Sequence, residues 1–214
     1  MCRLYEVTRA GYYAWRTREP SARRLGNERL LKQIEQVHAS SGGTYGSPRI
    51  QAAFPLAPLP DMSLHQAQLA DQSMSREIPE QEWIAAGWVD AERSWQAFGD
   101  DELLACDAAL AHLEETAFVY YLPAFLIFAV HHCAATWPDP SEALVGSTVF
   151  SVTQRGPHNL GRYKRLNPEQ RAAVVAFLEF IAENGNHSER PQAEKALKRY
   201  WKTDEASKPL IVVP

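Results

Sequence analysis

The chain is poor in cysteine, and what it has is scattered. Cys2, Cys106 and Cys133 are far apart, odd in number and form no CxxC pair. That excludes a disulfide framework and a cysteine-rich zinc site, and no metal site is expected. The expectation is reduced thiols, two of them buried on helices. Long uncharged runs are also scarce. The most apolar stretch, AFVYYLPAFLIFAVHHCAA over Ala117 to Ala135, has Pro123 inside it. A helix starting at Leu122 or Pro123, where a missing N–H costs least, leaves about 13 residues against the roughly 20 needed to cross hydrocarbon. His131 and His132 also count against a membrane, so the stretch predicts the core helix of a soluble domain. No apolar leader run is present in the polar, basic first residues, and a cytoplasmic chain with no membrane partner is expected. Missing too are GxSxG, GxxxxGKS/T and GxGxxG, the sequence marks of hydrolase elbows, P-loops and dinucleotide sites. No cofactor is expected.

The charge that is there is unevenly spread. The net formal charge is -4, yet residues 1–54 alone carry nine basic and four acidic side chains. The remainder is therefore strongly acidic. A basic arm on an acidic body predicts parts with different partners, because only the arm is drawn to phosphate.

Local signals predict a mainly α chain with at most one or two short strands. Val7-Thr8 followed by Arg9–Trp15 reads as a capped short helix, the tail of a helix-turn-helix. Residues 23–40 form an amphipathic helix through Leu30, Ile34 and Val37. Ser47-Pro48 starts another, which the PLAPLP run at 55–60 stops, since no helix interior tolerates three prolines in six positions. The reading is an arm over 1–54, a linker over 55–62, a compact helical domain over 63–202 and a tail over 203–214. Within that domain Pro79 to Val89 predicts a short helix. Asp100 caps a second, with Leu103, Cys106, Leu110 and Leu113 on one face. Residues 137–163 predict loop with a strand at Thr148–Val152. Asn167, Pro168, Glu169 and Gln170 start the best-defined helix, with Val174, Phe177, Leu178 and Ile181 as its apolar stripe and Gly185 as its end. A last helix, Gln192 to Trp201, packs Leu197 and Trp201.

The front end carries V-T-R-A-G-Y-Y-A-W at 7–15, a long helix ending in His38 and T-Y-G-S-P-R-I at 44–50. It resembles the start of the orfB transposase of the insertion-sequence-three family. The resemblance implies DNA recognition through helix-turn-helix elements, with Arg9, Tyr12, Tyr13, Arg16, Arg23, Arg24 and Arg49 as candidate contacts; the plain alternative for the arginines is a solvated helix face. Family members continue into a second basic helix and a catalytic domain with three metal-binding carboxylates. Here the prolines stand where the turn and that second helix would be, so the arm is truncated, and the catalytic domain is absent altogether. From about Ser63 to Ala182 the chain resembles an uncharacterised bacterial family marked by YLPAFL, which implies a helical domain and no activity.

No catalytic residues are assigned. Asp107 and Glu142 lie near the spacing of a strand-transfer carboxylate pair, but a helix and a loop carry them and no strand supplies a first Asp. His131 and His132 point about 100° apart on a helix, which predicts one buried and one exposed side chain rather than a metal site. Trp83, Trp88, Trp95 and Trp137 are expected in the core. The leading expectation is a non-catalytic fusion: a transposase-derived remnant with weak DNA affinity, joined near Phe54 to a helical domain that binds an unknown protein or small ligand. The alternatives are a working DNA-binding protein and an enzyme whose site lies around Glu114, Tyr120, Tyr121 and His131.

Overall fold

Side chains that cap helix ends, and apolar residues recurring every three or four positions, account for most of the architecture. A computed structural model describes residues 46–55, 57–90 and 93–203, with the backbone alone for 46–49. The chain divides between Gly43 and Thr44, and every described residue lies on the Thr44 side. The expected helices over 9–15 and 23–40, the tail beyond 203, and Arg9, Tyr12, Tyr13, Arg16, Arg23 and Arg24 lie outside the described residues, as does the side chain of Arg49.

Among the described residues the fold is mainly α, with ten α-helices and no strand. They are α1 (Gly46–Ala53), α2 (Leu64–Gln72), α3 (Glu80–Val89), α4 (Asp100–Ala105), α5 (Ala109–His112), α6 (Glu115–His131), α7 (Ser141–Thr153), α8 (Pro157–Arg165), α9 (Pro168–Asn184) and α10 (Glu189–Ala196). A 3-10 turn (Trp95–Ala97) precedes α4, and α10 runs into a π turn (Leu197–Trp201).

The capping chemistry is reciprocal at two starts. Ser63 Oγ accepts from the Gln66 N–H at 3.1 Å while Gln66 Oε1 accepts from the Ser63 N–H at 3.0 Å. Asn167 and Gln170 repeat the pattern at 2.8 and 3.0 Å, with Pro168 in the first position as expected. Such a cap contributes about 1 kcal/mol. At the other end of α9 Gly185 has φ -63, so left-handed backbone is not why glycine stands there. A Cβ would lie 2.7 Å from the Ile181 carbonyl oxygen; close approach is the reason.

α6 is the centre of the core. Phe118, Leu122, Phe125, Leu126 and Phe128 are fully buried on it, each adding roughly 1.5–3 kcal/mol. It packs against α1, α5, α7, α8, α9 and the 3-10 turn. Its start corrects the sequence reading, which placed it at Leu122 or Pro123. Glu114 caps it, accepting from the Ala117 N–H at 3.1 Å, and Pro123 lies inside the helix. The proline costs about 3 kcal/mol, and burial of Ala117, Phe118, Tyr120 and Tyr121 ahead of it outweighs that.

Other corrections follow the same logic. The expected loop over 137–163 contains α7 and α8, and the expected strand at Thr148–Val152 is the last part of α7. Its β-branched residues fall at helical spacing, with Leu144, Val145, Thr148, Val149, Ser151 and Val152 buried, and Thr148 Oγ1 donates to the Leu144 carbonyl at 2.8 Å. The helix expected from Asp100 is broken into α4 and α5, and Gly99, not Asp100, is the N-cap residue. Glu102 accepts from its N–H at 3.2 Å. The last helix starts at Glu189, ahead of the expected Gln192. Finally, the join expected near Phe54 falls inside the helical unit. Ile50 and Phe54, each 2% exposed, belong to the same core as α6.

Candidate functional site

The proline run expected to be a linker is one wall of a groove of about 400 Å³. Phe54, Pro55, Ala57 and residues 58–61 line one side; Thr116, Val119 and Tyr120, at helical spacing on α6, line the other. Trp95, Arg165 and Gln170 complete it. Prolines suit such a wall because they bring no N–H that needs a partner.

Most polar groups around the groove are already engaged, the buried Trp95 Nε1 and the exposed Asp61 carboxylate being the exceptions. Tyr120 is 6% exposed and its hydroxyl donates to the Arg93 carbonyl at 3.4 Å. Burial pushes its pKa up, so it stays a neutral phenol at pH 7. Arg165 Nε donates to Glu115 Oε2 at 2.7 Å, and that bond raises the guanidinium pKa. Thr116 Oγ1 donates to the carboxylate of Glu114, and Gln170 is spent on the cap of α9. Asp61 is exposed and, among the described residues, has no ion pair.

Trp95, 3% exposed, is held in place by the turn it sits on. Arg93 donates to Glu102 Oε1 and Oε2 at 2.7 and 2.9 Å, to the Ala97 carbonyl at 3.1 Å, and lies 4.5 Å from the centre of the Phe98 ring. The Arg93 bond, then the Gly99 N–H, hold the Glu102 carboxyl down at about 2. A lowered folded pKa adds stability above the ordinary value of 4.5 that is lost as pH falls toward about 2. Because Glu102 is 38% exposed, screening limits this to about 1 kcal/mol. The difference in urea-unfolding free energy between the native chain and Glu102→Gln is thus expected to shrink between pH 5 and pH 2.

The structure brings one of the expected enzyme residues to the groove and leaves the others elsewhere. Tyr120 lines it. Tyr121 is buried in the core, edge-on to Phe98 and to Tyr120, and burial raises its pKa. Glu114 is a helix cap. His131 is exposed at the far end of α6, about 16 Å along the helix from Tyr120 at 1.5 Å per residue. Neither member of the histidine pair is buried, against expectation. His132 is half-buried, stacked on Phe128 at 4.4 Å and 2.9 Å from Asp100 Oδ2. Asp107 takes a hydrogen bond from Gln68 at 3.3 Å and Glu142 stands in the first turn of α7. Among the described residues no three His, Cys, Asp or Glu side chains could hold a metal ion. Of the thiols, Cys106 is buried and Cys133 half-buried. No described helix is long and apolar enough to cross a membrane.

The tryptophans correct another expectation. Trp95 is core, Trp83 is half-buried, and Trp88 and Trp137 are 74% and 85% exposed. Small residues and polar bonds attach α3, which explains Trp88. Gly87 meets the Gln66 amide, and the Trp83 and Ala86 carbonyls accept from Gln66 Nε2 and Ser63 Oγ at 3.2 and 3.3 Å.

Residues 47–205 match the model of a family of unknown function, DUF6714. The chain belongs to that family. The match begins inside α1 and takes in all the helices that follow, so the DUF6714 domain includes both the proline wall and the groove. A separate likeness concerns a shorter stretch. The chain is 43% identical over 51 residues to the insertion element IS600 uncharacterized 31 kDa protein of Shigella sonnei, over 24% of this chain and 19% of that protein. It thus spans about a fifth of the length of that relative. No solved structure matches.

Proposed function

We propose that residues 44–203 are a non-catalytic binding domain whose groove takes a small amphipathic ligand, carried behind a segment derived from an insertion element. The observation that supports this is the commitment of the groove's polar groups. Nucleophilic or acid–base chemistry needs a group left available beside its base. Here Tyr120, Thr116, Arg165 and Gln170 each already serve the fold. What faces the groove is apolar wall, with Arg165 and Asp61 as charged points of orientation. The fragment screen that tests this reads melting temperature for aromatic acids and amines. Ligands that raise it for the native chain should lose about tenfold in affinity with Val119→Trp, which fills the groove. Hits that bind both proteins equally, or that are chemically converted, would sink the reading.

The insertion-element likeness favours a second reading, in which residues 1–54 contact DNA through Arg9, Tyr12, Tyr13, Arg16, Arg23, Arg24 and Arg49. Backbone-directed binding of this kind weakens steeply with salt. The full chain should raise the anisotropy of a labelled random duplex at about 50 mM salt and lose most of that by about 200 mM. No binding at the lower salt rules it out.

A further inference from the structure

One charge in the groove beside the proline run has no counterpart. Asp61, exposed where the proline wall ends, takes part in no ion pair and no side-chain hydrogen bond among the described residues. Arg165, the one cation among the described residues of the lining, is committed. Its Nε donates to Glu115 Oε2 at 2.7 Å, and that bond, then the charges of Glu115 and Glu114, hold its pKa up. The lining thus offers an unmatched carboxylate and no unmatched cation.

One feature argues for the opposite sign. Two helices start beside the groove, and a helix N-terminus favours anions. Thr116 lies in the first turn of α6 and Gln170 in the first turn of α9, and both line the groove. Those starts are already answered from within the chain. Glu114 accepts from the Ala117 N–H at 3.1 Å, and Asn167 Oδ1 accepts from the Gln170 N–H at 2.8 Å. Each helix end carries about half a positive charge, and a carboxylate stands in each first turn, Glu115 on α6 and Glu169 on α9. What remains for a ligand is Asp61 and the apolar wall. Phe54, Trp95 and Tyr120 belong to that wall, and aromatic rings tolerate a cation better than an anion.

We infer that the groove selects a cation: a primary amine on a compact apolar body, its ammonium paired with Asp61 and its body laid along Val119 and the prolines. The inference rests on the groove being a ligand site, as proposed above, and adds the sign of charge that the site accepts. An ammonium brings three donors and no acceptor, the complement of a carboxylate that has nothing to accept from. An organic acid of the same size meets Asp61 as a like charge and finds Arg165 already held by Glu115. A volume of about 400 Å³ lies at the lower end for small-molecule sites, which favours an amine with a single ring over a longer peptide.

The test titrates the full, isotope-labelled chain with phenethylamine and with 3-phenylpropionate, two probes of similar size and opposite charge, followed by NMR. Saturable shifts at residues 57–61 and 116–120 are expected with the amine, at about tenfold higher affinity than with the acid. Asp61→Asn should lower the amine affinity about tenfold and leave that of the acid unchanged. Asp61 is exposed, so the fold is retained. Glu80→Gln removes the same charge at an exposed position outside the lining and should leave amine binding intact. Equal or tighter binding of the acid, an amine affinity indifferent to Asp61→Asn, or equal loss with Glu80→Gln would each overturn the choice of sign. In those cases loss of binding with Val119→Trp would still mark the groove as a ligand site. No saturable shift with either probe would overturn both readings together.

Discussion

Arg162→Ala is expected to lower the unfolding free energy by about 4 kcal/mol, the largest effect of any single polar substitution in the domain. Arg162 is 1% exposed, with its guanidinium 4.9 Å from the centre of the Phe118 ring. Nη2 donates to the Ala111 carbonyl at 2.8 Å and to the Leu113 carbonyl, and Nη1 donates to Asn159 Oδ1 at 3.2 Å. These carbonyls end α5, a helix of four residues, too short to satisfy its own last turn. Burial pushes the guanidinium pKa down to about 10, so the group remains charged at neutral pH. Two opposing terms decide the outcome. Removing the arginine relieves the desolvation of a charge, but strands the buried Leu113 carbonyl and opens a cavity beside Phe118. The second wins because the guanidinium donates to three oxygens at once and a methyl group to none. Arg162→Met keeps much of the volume and should cost about 3 kcal/mol. Urea unfolding of the three proteins checks the order. A methionine variant as stable as the native chain would mean that desolvation dominates.

A cut at the proline run should unfold the domain, whereas a cut before Thr44 should leave its stability within about 0.5 kcal/mol of the full chain. The difference lies in α1. Ile50 and Phe54 stand four residues apart, both 2% exposed, and α1 packs on α6 and α9. Losing both side chains removes about 5 kcal/mol of burial, comparable with the whole stability of a small domain. Phe54→Ala alone should cost about 3–5 kcal/mol. Circular dichroism melts of chains starting at Thr44 and at Pro55 separate the two cases. Equal melting temperatures would place the join back at Phe54.

How far the sequence could be read depended on whether the signal was local. The start of α9 was fully legible, because Asn167, Pro168 and Gln170 act within one turn of each other. α3 was legible from its position after Pro79. α7 was not, since valine and threonine favour strand when taken alone and only the burial of every third or fourth residue shows a helix. Nor was the groove. Its prolines, Trp95, Tyr120 and Arg165 are scattered over more than a hundred positions of the chain, and proline punctuation reads as linker whether or not something packs beside it.

α6 has a consequence for how the chain is made. It is apolar on nearly every face, with 12 of its 17 residues buried. The helices that cover it on α7, α8 and α9 all follow it in sequence. A chain growing on the ribosome therefore displays this segment before these three helices have been synthesised. During that interval it offers chaperones, and other nascent chains, an oily rod that the finished molecule conceals.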